Sequence, residues 1–121
     1  MAQHELIEEA LTYSVIGAFF EVHNTLGFGF LEHVHVMALE RELLARGHRV
    51  GRQVCVTITY KGEERTTQRL DMVVDHKPVV EIKATAELHK SAPRQVYNYL
   101  KATNLEVGLL LHFGPEPRSI A

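Results

Sequence analysis

The stretch that decides how this chain folds is Arg69-Leu70-Asp71-Met72-Val73-Val74, the linker Asp75-His76-Lys77-Pro78, and then Val79-Val80-Glu81-Ile82-Lys83. Two apolar, β-branched runs flank a short polar turn, which predicts an antiparallel hairpin with strands at about Thr66–Val74 and Val79–Ala84. Side chains alternate along a strand, so Glu81 and Lys83 share a face, their Cα atoms about 6–7 Å apart. Val80 and Ile82 take the opposite face. Asp71 is a lone carboxylate in the neighbouring apolar strand, and a slip of one residue in register would turn it away from Glu81.

Burying such groups unpaired costs several kcal/mol, on the order of 2–7 even for neutral polar groups, so they need each other or a cation. Two carboxylates on adjacent strands offer hard oxygen ligands suited to Mg²⁺, which keeps several waters and favours phosphate oxygens. Such an ion lowers the pKa of a bound water and stabilises charge building on a phosphoryl group. Lys83 is placed to orient the attacking water or to offset the growing charge. The competing reading is a Glu81–Lys83 or Asp71–Lys83 ion pair on a solvated sheet, which contributes little.

Outward from the hairpin, Glu5–His23 is predicted to be helical, with Leu11, Val15, Ala18, Phe19 and Val22 on one face and Ile16 and Phe20 widening it. That girth implies deep burial or a homodimer interface through this helix, and periodicity alone leaves both open. Two glycines in Asn24–Gly29 interrupt it, and a second helix follows over about Phe30–Arg46 with Gly47 as its C′ residue. Glu32, His35 and Leu39 fall at i, i+3 and i+7, which carries Glu32 towards the sheet as a further ligand or leaves it as a first-turn acid. Gln53–Tyr60 reads as a strand and Lys61–Glu64 as a turn. Ser91 and Pro93 open a helix to about Ala102. Its Gln95 and Tyr99, at i and i+4, sit at the edge of the core within reach of Lys83 or of a nucleic-acid backbone. Val107–Phe113 is apolar throughout, as expected of a strand covered on both faces. The predicted order is α-α-β-β-β-α-β, a mixed sheet with helices packed on it.

The length of 121 residues fits one domain, 1–121, and 45% hydrophobic content supplies a core. Cys55, the sole cysteine, is predicted to be a buried apolar residue. No leader pattern or membrane-length apolar run is present, so a cytoplasmic setting is expected. The eight histidines show no zinc-ligand spacing: His33 and His35 diverge on their helix, and the others are scattered. The net charge of −2 is unusual for a phosphate-gripping protein, so nucleic-acid contact must come from a local patch, a partner or a bound metal.

Leu26-Gly27-Phe28-Gly29-Phe30-Leu31-Glu32-His33-Val34-His35 resembles the signature of the GxxExxY proteins, a bacterial branch of the PD-(D/E)XK nuclease superfamily. Glu21-Val22-His23, Arg52-Gln53-Val54, Tyr60-Lys61-Gly62-Glu63, Leu70-Asp71, Glu81-Ile82-Lys83 and Gln95 through Thr103 extend the resemblance over nearly the whole chain. It implies an α/β fold of the PD-(D/E)XK nuclease-like type, with an αβββαβ core. It places Asp71, Glu81 and Lys83 at active-site positions, Glu32 as the helix-borne acid, and Mg²⁺ or Mn²⁺ on Asp71, Glu81 and Glu32. Gln95 and Tyr99 are similar to the Q-x-x-x-Y element of the RecB-like branch and, with His35, would position substrate. The family's signature Tyr is His35 here, which would make that contact pH-responsive. The implied activity is phosphodiester hydrolysis in DNA or RNA. The alternative is an inactive module of the same fold that binds nucleic acid or protein.

Overall fold

The apolar positions of the first third of the chain recur at helical spacing, and both segments are helices: α1 (Ala2–Leu26) and α2 (Glu32–Ala45). The computed structural model describes residues 2–103, 105 and 107–121. After α2 come β1 (Val50–Tyr60), β2 (Glu63–Val74), β3 (Val79–Lys83), α3 (Ala92–Ala102), β4 (Gly108–Phe113) and β5 (Pro117–Ile120). The five strands lie in chain order across one sheet. All neighbours are antiparallel except β3 and β4, which α3 connects as a parallel pair with Glu81 beside Leu110 and Lys83 beside His112.

Alternation along the strands sorts the side chains into two layers. Met72, Val74, Val80, Ile82, Leu109, Leu111 and Phe113 face one side and pack with Leu11, Val15, Ala18, Phe19 and Val22 of α1 and Val36, Leu39 and Leu43 of α2. The broad apolar face of α1 is thus taken up by the protein's own core, which leaves Tyr13 and Phe20 as its exposed aromatics. On the other face, Leu110 of β4 packs with Ala92 and Val96 of α3. Among the described residues, no helix is long and apolar enough to cross a membrane.

Three expectations need correction. Cys55 is exposed, because beyond Val54 the β1–β2 ribbon runs with Cys55, Thr57 and Thr59 facing solvent. A further strand, β5, follows the apolar β4. It is short and begins with a proline, which an edge strand tolerates because no donor is missed there. Ser91 occupies the N-cap position of α3 without a capping bond, its hydroxyl bonding His89 Nδ1 at 2.6 Å instead.

The β2–β3 turn is anchored by side chains that the hydrophobic pattern does not reveal. Asp75 and His76 have φ of 51° and 59°, the left-handed pair that a tight hairpin requires. The Asp75 carboxylate accepts the Arg49 N–H at 2.7 Å and His48 Nδ1–H at 2.7 Å, and His48 Nε2 meets Ser14 Oγ at 2.7 Å. This chain joins α1, the α2–β1 connection and the hairpin. Partial burial opposes ionisation of Asp75. The Arg49 and His48 hydrogen bonds and the nearby positive charges outweigh it, and hold the carboxyl below the ordinary carboxylate range. A depressed carboxylate contributes stability above its unfolded pKa and loses it as pH falls through the folded one. Asp75→Asn is therefore expected to lower stability at neutral pH by about 1–2 kcal/mol. It should also flatten the loss on acidification below the ordinary carboxylate range, both read by urea unfolding across pH.

Candidate active site

The backbone ladder between β2 and β3 is brief, with Met72 opposite Val80 and Val73 opposite Val79. Just past it, side chains replace main-chain partners. The Asp71 N–H donates to Glu81 Oε1 at 3.1 Å, and the Ile82 N–H donates to Asp71 Oδ2 at 2.8 Å. Each carboxylate thus caps a backbone donor on the opposite strand, and a side-chain hydrogen bond also links the two carboxyls. Packing of Met72, Val80 and Ile82 into the α1/α2 core, all at 0% exposure, forces Asp71, Glu81 and Lys83 to the α3 side.

Bringing the two acids together in a largely dry place has an electrostatic cost. Glu81 is 5% exposed. Burial, then the Asp71 charge, pushes its carboxyl up to about 7, against the hydrogen bond from the Asp71 N–H and the charge of Lys83. Glu32, in the first turn of α2, remains open to solvent, yet partial burial and the Asp71 charge raise its carboxyl while Lys83 lowers it. Burial and the charges of Glu81 and Asp71 raise the Tyr99 phenol on α3. Glu32, Asp71, Glu81, Lys83 and Tyr99, drawn from two helices and two strands, therefore share one electrostatic neighbourhood. Among the described residues, no ion pair within 4.0 Å joins Lys83 to any of the three acids. The ammonium acts on them at longer range.

Gln95 is exposed and lies between two hollows. One, of about 310 Å³, is shared with Lys83 and Thr85, and the other with Tyr99. His35 is not at this site. It is fully buried, its ring stacks on Phe113 with centroids 4.4 Å apart, and Nε2–H donates to the Gly27 carbonyl at 3.0 Å. A ring with no exposed surface cannot touch substrate, so the expectation that His35 positions it is corrected: His35 ties the Gly27 loop to the core beneath α2. Gly27, with φ of 74°, supplies the turn that aims its carbonyl at this ring. Sequence reading overlooked His112, which lies beside Lys83 on β4, is buried, and donates Nε2–H to the Thr85 carbonyl at 2.8 Å. It fastens the loop that leaves the Lys83 strand. Its alternation with Leu111 and Phe113 was the available signal.

Among the described residues, no three His, Cys, Asp or Glu side chains are grouped so that they could hold a metal ion, so Glu32 is not brought together with Asp71 and Glu81 as a third ligand. Two adjacent carboxylates that repel each other still fit an ion that draws most of its coordination from water and phosphate. Glu81 gives a direct readout. A group whose folded pKa is raised destabilises the protein as pH climbs from the ordinary carboxylate range to about 7, where the folded state gives up its extra proton. Asp71→Asn removes the neighbouring charge but keeps an oxygen for the Ile82 N–H. Its Glu81 carboxyl is expected to titrate at least about one unit lower in ¹³C NMR, and the decline in stability over that window should shrink.

Residues 9–120 match the PD-(D/E)XK nuclease superfamily. No curated protein and no solved structure matches the chain significantly. The matched span runs from α1 to the end of β5 and includes the β2–β3 fork and both helices that flank it. With the mixed sheet, its α3 crossover and the acids at the end of the β2–β3 ladder, that match settles the relationship: the chain belongs to the PD-(D/E)XK nuclease superfamily.

Proposed function

We propose that this protein is a Mg²⁺- or Mn²⁺-dependent phosphodiester hydrolase acting on DNA or RNA, of the GxxExxY branch of its superfamily. Superfamily nucleases generally use divalent metals. The observation that carries the reading is the Asp71–Glu81 pair: two carboxylates held together by backbone hydrogen bonds across the strand fork, with Glu81 pushed up to about 7. Such a pair is poised to exchange a proton for a cation, since a bound divalent charge removes the repulsion that raises Glu81.

In this reading Asp71 and Glu81 would hold the ion, and Glu32, from the start of α2, would add a third carboxylate near it. The ion supplies Lewis acidity and a more acidic bound water. Lys83, on the Glu81 face and free of a tight ion pair, offsets negative charge at the phosphoryl group and orients the incoming water. Tyr99 and Gln95 position the substrate strand from α3. Because Glu81 must be ionised to hold the metal, affinity should rise as pH increases through about 7 and level off above it.

Calorimetric titration of Mg²⁺ and Mn²⁺, with cleavage of single- and double-stranded DNA and RNA in parallel, tests the assignment. The wild type is expected to bind and cleave, and Asp71→Asn and Glu81→Gln to lose both. Lys83→Ala should keep metal binding while cleavage falls by at least about a hundredfold, the scale of losing one charge-stabilising group. Metal binding without cleavage of any substrate would instead favour a non-catalytic binding module, and no binding would leave the pair a structural charge cluster.

A further inference from the structure

The β1–β2 ribbon extends well beyond the part of the sheet covered by helices. Glu63, Glu64 and Thr66 through Arg69 are all exposed, as are Cys55, Thr57 and Thr59 opposite them. Between this ribbon and α3 lies a groove of about 650 Å³. Its walls combine apolar surface that includes Ile58 and Tyr99 with hydroxyls and amides from both sides, Thr57, Thr66 and Gln68 from the ribbon and Gln95 and Asn98 from α3, with Lys101 as the lining cation. A ribbon-to-helix contact that served only packing would bring apolar side chains together, and polar groups arranged around open space are suited to a polar guest.

The groove leads to the acids. Tyr99 lines it and also feels the charges of Glu81 and Asp71. Gln95 lines both this groove and the hollow beside Lys83. On the outer face of α3, Tyr97 holds two cations in place: Arg94 lies 5.0 Å and the Lys101 ammonium 5.7 Å from its ring centroid. Such cation–π contacts fix flexible side chains where a phosphate backbone could meet them.

We propose that this groove binds single-stranded polynucleotide and feeds it to the carboxylate fork, so that the substrate is a single strand or an unpaired end rather than an intact duplex. The inference rests on the hydrolase reading above for what happens at the fork, but not for binding. Its volume is that of a small-ligand site, enough for a short piece of one strand between two walls. Charge points the same way. Duplex binding relies on many cation–phosphate contacts, and a chain of net charge −2 with Lys101 as the cation lining this groove does not supply them. Neutral hydroxyls and amides instead suit sugars, phosphates and the exposed base edges of a single strand.

Fluorescence anisotropy in EDTA separates binding from cleavage, with labelled oligothymidylate, oligouridylate and a DNA duplex of equal length as probes. At least one single strand should bind about tenfold or more tighter than the duplex, with a log–log salt slope of about −0.7 for one phosphate contact at Lys101. Lys101→Ala and Gln68→Ala should each weaken it about fivefold or more, while Lys90→Ala, exposed and outside the groove, should not. Preference for DNA or for RNA supports the proposal equally and identifies the sugar. Duplex binding as tight as both single strands, or wild-type affinity in both groove variants, overturns it. Single-strand binding through the groove with no Mn²⁺-dependent cleavage would leave this inference standing and remove the hydrolase reading. Cleavage indifferent to the groove variants would do the reverse.

Discussion

Everything at the candidate site follows from the place where the β2–β3 ladder ends. After the Met72–Val80 pair, two backbone N–H groups lose their main-chain partners, and the carboxylates of Glu81 and Asp71 take them. Buried donors must be satisfied, so the fork holds these acids in place as firmly as it depends on them. The same bonds bring two negative charges together at a site where water is scarce, and Glu81 responds by holding its proton up to about 7. Stability and readiness to accept a cation thus arise from one pair of side chains.

The surrounding elements position partners for that pair. The α1/α2 core grips the apolar face of β3 through Val80 and Ile82, which fixes the face on which Glu81 and Lys83 emerge. His35, stacked on Phe113 and bonded to Gly27, secures the start of α2, from which Glu32 reaches the charges of Asp71 and Lys83. On the other side, Ala92 and Val96 seat α3 on Leu110, the residue beside Glu81, and this brings Tyr99 over the fork.

Much of this was legible in the residues, for identifiable reasons. Alternation alone put Glu81 and Lys83 on one face, and helical periodicity put His35 and Leu39 of α2 inward with Glu32 at the same helix's start. The run that became β4 was apolar enough to announce coverage on both faces. Where the reading failed, the cause was tertiary. Cys55 lies in an alternating strand whose outer half is exposed on the Cys55 side, so a buried-looking pattern is exposed. The strand Pro117–Ile120 is short, and it is held by pairing with β4 rather than by any periodicity of its own. His35 looked like a substitute for a substrate-facing Tyr, but its environment depends on Phe113, far away in sequence. The Ser14–His48–Asp75 chain joins three distant segments through side chains, which no local pattern encodes.

The acidic balance of the chain, which argued against a phosphate-binding protein, is explained by where the charge sits: three acids gather around Lys83 at the fork, while α3 carries its exposed cations beside Tyr97. If the fork is a metal-binding device, a cation must lie between its two carboxylates. Anomalous diffraction from crystals grown with Mn²⁺ measures this most directly. The account predicts a peak at the Asp71 and Glu81 carboxylates, with Glu32 turned towards it. Saturating Mn²⁺ with no peak at the fork would contradict it.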